Sequence, residues 1–117
     1  PTAVVRADAD LLTAALLNLL DNALRHGATT LDVRVVHATG TDGDACVLRL
    51  HDNGRGIAEE RRLALQRAID QQDYEAATGL GLMLADLVAR AHGGSLHLLP
   101  AATGCVVEMR LGTPIVP

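Results

Sequence analysis

Hydrophobic and polar positions along the chain follow two different periods, and the switches between them outline the elements. From residue 10 to 26 the apolar positions recur at helical spacing. With ~100° per residue, Leu12, Leu16, Leu20 and Ala23 gather within roughly 120–200° of Asn18 and predict a leucine face turned to the core. Asp8 or Asp10 supplies an N-cap for this helix and Gly27 its stop. Residues 31–36 and 46–51 alternate and are rich in β-branched side chains, and the two glycines between them predict a hairpin. A charged helix is expected over 59–70, a polar loop over 71–77, and an apolar helix over 80–92 ending at Gly93-Gly94. Residues 95–99 and 105–111 form a second hairpin turning at Ala102-Thr103-Gly104, and residues 3–6 a short edge strand. Strands gathered in hairpins with long helices between them predict an α+β fold, a two-layer α/β sandwich with helices covering one face of a mixed sheet.

Length and composition narrow the function. The 117 residues make one domain, 49% hydrophobic and 21% charged, with a net charge of −4 and no basic block. This argues against nucleic acid as a partner. All ten basic residues are arginine; without lysine there is no Schiff base and no phosphate-binding lysine. Tyr74 is the only aromatic side chain, too few for stacking on single strands. Cys46 and Cys105 lie in strand-like apolar runs and are expected as buried free thiols. No apolar run approaches the ~18 residues of a membrane span. With no signal peptide either, the chain is expected to be a cytoplasmic fragment of a longer protein, without direct membrane contact.

Three segments carry candidate chemistry. On the first helix Asn22 and Arg25 fall at ~40° and ~340° from Asn18, so two amides and a guanidinium form one stripe. Asparagine is a mediocre helix former. The stripe is either a solvated face or a site where amide oxygens meet a hard cation and arginine meets phosphate; the helix alone does not decide. Asp52-Asn53-Gly54-Arg55-Gly56-Ile57 follows a strand, putting a carboxylate beside a backbone free to turn or to approach a ligand. Thr78-Gly79-Leu80-Gly81-Leu82 opens a helix, where free N–H groups favour phosphate. Each loop is also an ordinary junction in isolation. The second is no dinucleotide fingerprint, because the stretch before it is not strand-like and Leu84 stands where a third glycine is needed.

Together and in order, these segments resemble the ATP-binding catalytic domain of bacterial sensor histidine kinases, within the superfamily of DNA gyrase, the Hsp90 chaperones and MutL. The resemblance covers nearly the whole chain, 1–117: an asparagine box at 18–26, glycine boxes at 52–57 and 79–82, and a closing Ala91-His92-Gly93-Gly94-Ser95-Leu96. It implies a Bergerat-type ATP-binding fold with ATP and Mg²⁺ as ligands. Asn22 would hold the metal, Asn18 would support it, Arg25 would contact phosphate, and His26 would sit against the adenine. Asp52 would accept the adenine amino group, Gly54, Gly56 and Ile57 would pass the base, and Thr78, Gly79, Leu80, Gly81 and Leu82 would face the phosphates. Residues 58–77 would form a lid.

The resemblance also implies partners: a dimerisation domain bearing the phosphoacceptor histidine, and a response regulator. None of His26, His37, His51, His92 and His97 lies in such a phosphoacceptor segment, so this chain alone is not expected to autophosphorylate. Asn18 stands where the ATPases of the superfamily carry a water-activating glutamate, and an amide takes no proton. The lid lacks the family's usual phenylalanine, and Ala77 replaces a frequent glycine. Two alternatives follow: a degenerate module that senses nucleotide or binds a partner without transfer, and an ATPase of the wider superfamily.

Overall fold

The computed structural model describes residues 8–40, 43–77 and 81–112, with the side chains of 37–40, 43–45, 76 and 77 left aside. Helix α1 spans Ala9–Arg25. Its start is fixed by Asp8, whose Oδ1 accepts the amides of Asp10 at 3.0 Å and Leu11 at 3.1 Å. Ala15, Leu19 and Ala23 are its buried residues, with Leu12 and Leu16 packed at the margin. Leu20, expected in the core, is instead 38% exposed. The buried stripe is therefore turned toward the asparagines, because a cleft lies at the edge of the core and α1 lines both.

Strands β1 (Leu31–Gly40) and β2 (Gly43–Asp52) form the first hairpin, paired from Leu31–Asp52 to Gly40–Gly43. β3 (Ser95–Leu99) and β4 (Cys105–Leu111) form the second, over the residues the alternation predicts. The sheet order is β1-β2-β4-β3, and every pairing among the described residues is antiparallel. The expected mixed sheet is corrected to that extent. Strands joined by tight turns must run in opposite directions, and β4, inserted between β2 and β3, runs against both. The edge strand expected over 3–6 lies outside the described residues.

The helices occupy one face. α4 (Met83–Ala91) packs on β3 and β4 and against α1, while α2 (Glu59–Asp70) covers β3. Leu19, Leu50, Leu65, Leu82, Leu96 and Met109 meet in the core between the layers. The opposite sheet face is polar. There Glu108, 4% exposed, accepts from Arg49 Nε at 2.7 Å and Arg110 Nη2 at 3.1 Å.

Residues 71–77 are not wholly loop. Tyr74–Ala77 forms a short helix, α3. A long-range bond supplies the reason: the Tyr74 hydroxyl donates to Asp86 Oδ2 at 2.7 Å, tying this segment to α4.

Candidate functional site

The site is organised around Asp52, the last residue of β2. Strand alternation turns its side chain to the helical face, as it does Leu50 and Leu48. Asp52 Oδ1 accepts the amide of Gly54 at 2.8 Å and that of Cys105 at 3.3 Å. These two donors hold the carboxylate rigidly, and Oδ2 has no protein partner among the described residues.

The loop after Asp52 is stitched to the end of α1. Asn53 Oδ1 accepts the amides of Thr29 and Thr30 at 2.8 and 2.9 Å, and its Nδ2 donates to Thr29 Oγ1 at 2.9 Å. The amide of Arg55 donates to His26 O at 3.1 Å. Gly54 allows this approach: a Cβ there would lie 2.7 Å from His26 O. Gly56 sits at φ +77°, the left-handed region, with Gly104 O 2.9 Å from where a Cβ would be.

A solvent-open cleft lies between α1, the ends of β1, β2 and β4, and the start of α2. Leu19, Ala23, Leu31, Leu50, Ile57 and Val107 supply its apolar walls. Asn22, His26, Asp52, Arg61 and Cys105 supply its polar groups, with Gly56 and Ala58 completing the lining. An apolar slot with a few fixed polar groups suits a small flat ligand. Burial, followed by the charge of Asp52, pushes the Cys105 thiol up to about 11, so it stays protonated near neutrality and is a poor nucleophile.

The structure gathers Asn22, His26, Asp52, Gly56 and Ile57 from two separate segments into this one cleft, with Gly54 beneath it. Asn18 lies one turn before Asn22, and its Oδ1 is buried without a hydrogen-bond partner among the described residues. Gly81, at φ +62°, faces α1: a Cβ on it would lie 4.0 Å from Asn22 Oδ1. Two expected residues stand apart. Arg25 points to solvent, its side chain 77% exposed and its Nε 2.9 Å from Asp21 Oδ2. Leu82 is buried in the hydrophobic core. Thr78, Gly79 and Leu80 lie outside the described residues.

Comparison with known proteins decides the family. Residues 7–115 match the profile described as histidine kinase-, DNA gyrase B- and HSP90-like ATPase. The chain belongs to this family. The family groups ATP-binding domains of histidine kinases with those of DNA gyrase B- and HSP90-like ATPases. Among its relatives, the sensor protein IrlS of Burkholderia pseudomallei is 37% identical over 100 residues, covering 80% of this chain and 21% of that protein. The signal transduction histidine-protein kinase AfsQ2 of Streptomyces coelicolor is 35% identical over 115 residues, covering 91% of this chain and 20% of that protein. This histidine kinase-type domain thus spans about a fifth of the length of these curated relatives.

Solved structures agree on the fold. The nucleotide-free catalytic domain of the histidine kinase ThkA superposes with a TM-score of 0.65 at 21% identity, covering 93% of this chain and 70% of that one. Full-length ShkA in complex with AMPPNP gives 0.61 at 23% identity, covering 98% of this chain and 25% of that one.

Several residues lining the cleft are absent from the motif-based expectation. Leu31, Leu50, Cys105 and Val107 share the inward register of their strands, which a correct pairing of the two hairpins would have revealed. Arg61 carries a weaker signal, a cation in the first turn of a helix. Among the described residues no helix is long and apolar enough to cross a membrane.

Proposed function

We propose that this domain binds ATP–Mg²⁺ in the cleft and donates the γ-phosphoryl group to a histidine on a separate dimerisation domain, for onward transfer to a response regulator. The observation that carries the reading is the state of Asp52. One carboxylate oxygen is occupied by two backbone amides, the other has no partner among the described residues, and Asp52 lines a largely apolar cleft, an arrangement suited to an exocyclic amine on a flat ring. Adenine offers that donor; guanine presents a carbonyl at the equivalent edge, and two acceptors repel. His26 and Ile57 bound the base, with Gly54 and Gly56 keeping the backbone close.

The phosphates would extend toward Asn22 and Gly81, with Thr78, Gly79, Leu80 and Leu82 contributing backbone groups of the second glycine segment. The metal fits the residues present. Asn18 Oδ1 is a buried oxygen without a partner among the described residues, and amide and phosphate oxygens suit a hard cation. Asn22 would ligate it and Asn18 would support it. The cation would neutralise charge on the β- and γ-phosphates. Arg25 would contact phosphate after leaving its exposed pairing with Asp21, which holds it weakly. The acceptor imidazole nitrogen bonds to the γ-phosphorus as the bond to the bridging oxygen breaks and ADP departs, so positioning is the main demand on the protein.

Asn18 has no basic oxygen to activate water, which favours transfer over hydrolysis. The parent would be cytoplasmic at this domain, with nucleic acid and direct membrane contact playing no part. The rival module without transfer draws on the single aromatic of the lid, Tyr74, being engaged by Asp86. Incubating the chain with γ-labelled ATP and the parent kinase's separately prepared dimerisation domain separates the two. Label on a histidine of that domain is expected, with negligible phosphate release by this chain alone. ATP binding without transfer would favour the module, and rapid release of phosphate would favour an ATPase.

A further inference from the structure

Arg61 stands out among the groups lining the cleft. It is the third residue of α2, after Glu59 and Glu60, where the helix dipole favours acids and disfavours a cation. Its neighbour Arg62 is fully used, donating from Nε to Glu59 Oε2 at 3.0 Å and from Nη1 to Leu98 O at 3.0 Å. Arg61 has no hydrogen bond or ion pair with any described residue, yet it lines the cleft. Arg61 is exposed at the cleft, so its guanidinium, set against the dipole and without a partner among the described residues, is free to meet a ligand there.

Its position says which part of the ligand. Arg61 lies in the first turn of α2, shortly after Gly56, Ile57 and Ala58, and all four line the cleft with Asp52 and Cys105. Asn22 lines the same cleft and approaches Gly81, the side proposed above for the phosphates. Beyond the His26 imidazole the cleft has no further ring for the base, since the hydroxyl of Tyr74, the one Phe, Tyr or Trp side chain, is held by buried Asp86. A guanidinium is planar, weakly hydrated and stacks on aromatic faces.

We infer that Arg61 is a base-contacting residue of the cleft, its guanidinium covering the solvent-open side of the adenine ring. This rests on the adenine reading of Asp52. Affinities for adenosine, ADP and ATP, the nucleotides with Mg²⁺, are to be compared in the unsubstituted chain, Arg61→Ala and Arg61→Lys, with thermal melting as a check on folding. Loss of a stacked cation predicts that Arg61→Ala weakens all three ligands by a similar factor, about 2- to 30-fold. Arg61→Lys keeps the charge without the plane and restores only part of the loss. A deficit that grows with the number of phosphates and spares adenosine would overturn the inference, making Arg61 a phosphate ligand. So would unchanged affinity for all three. If the unsubstituted chain binds no adenine ligand at all, the failure lies with the Asp52 reading itself.

Discussion

The carboxylate of Asp86, fully buried near the start of α4, accepts the hydroxyl of Tyr74 at 2.7 Å and so joins the short helix α3 to the core. The same carboxylate accepts Arg90 Nε at 2.7 Å and the amide of Leu96 at 3.0 Å, while Arg90 Nη2 reaches Ile69 O at 2.8 Å. One buried charge thereby links α2, α3, α4 and β3. A buried pair broken on one side leaves an uncompensated charge. Asp86→Ala, which strands Arg90, should lower stability by about 3 kcal/mol. Tyr74→Phe removes one hydrogen bond and should cost about 1 kcal/mol, with increased amide exchange over 71–77. Urea unfolding of both variants gives the two values.

The Tyr74 hydroxyl also sets an alkaline limit. Burial, then the bond to Asp86, raises its pKa above the ordinary 10, outweighing the opposing effects of Gln72 and Arg90. The neutral hydroxyl is favoured in the fold, so its contribution is complete below pH 10 and is lost as pH rises through the elevated value. Stability against pH from 9 upward should therefore fall less steeply in Tyr74→Phe than in the unsubstituted chain.

Glu108 should produce the opposite edge. Burial acts to raise its pKa, but hydrogen bonds and charges from Arg49 and Arg110 together outweigh it and hold the carboxylate below its usual 4.5. The stabilisation is present above pH 4.5 and is lost as pH falls through the depressed value. Glu108→Gln should lose about 1 kcal/mol at neutral pH, a modest figure because both arginines are more than 40% exposed. Its acid unfolding should show a shallower dependence below pH 4.5, measured by circular dichroism.

At Gly54 the prediction concerns the cleft. An added Cβ would lie 2.7 Å from His26 O and 3.1 Å from Asp52 Oδ1, and neither can retreat without breaking the Arg55 or Gly54 bond. Gly54→Ala should destabilise the chain by about 2 kcal/mol and displace Asp52, weakening adenine nucleotides far more than the stability loss explains. Calorimetric titration beside the melting curve distinguishes the two effects.

Much of this architecture is legible from local pattern. Asp8 capping α1 and both strands of the second hairpin depend on neighbours in sequence, and the structure has them as the pattern predicts. The errors arise where distant residues decide. Helical spacing puts Leu20 in the core, opposite polar Asn18 and Asn22; the cleft at the edge of the core lets Asn22 and buried Leu19 line the same cavity. α3 forms because Asp86, twelve residues on, holds Tyr74, a pairing that no local period announces. In the cleft itself the motif residues are legible and the walls are not, because Leu50, Cys105 and Val107 meet there only through the β2–β4 register. Leu82 belongs to the core because it lies on the inward face entering α4, whatever its place in a glycine-rich segment.

The adenine pocket around Asp52 is the central claim, and thermal unfolding with nucleotide tests it most directly. The chain and Asp52→Ala are melted with ATP or ADP, with and without Mg²⁺, and with GTP as the control. Saturation at about 100 Kd adds about 2.7 kcal/mol, a Tm rise on the order of 10 °C for a domain of this size. The predicted result is a rise with adenine nucleotides, larger with Mg²⁺, absent with GTP and lost in Asp52→Ala. An unchanged Tm at millimolar ATP, or an equal rise with GTP, would contradict it.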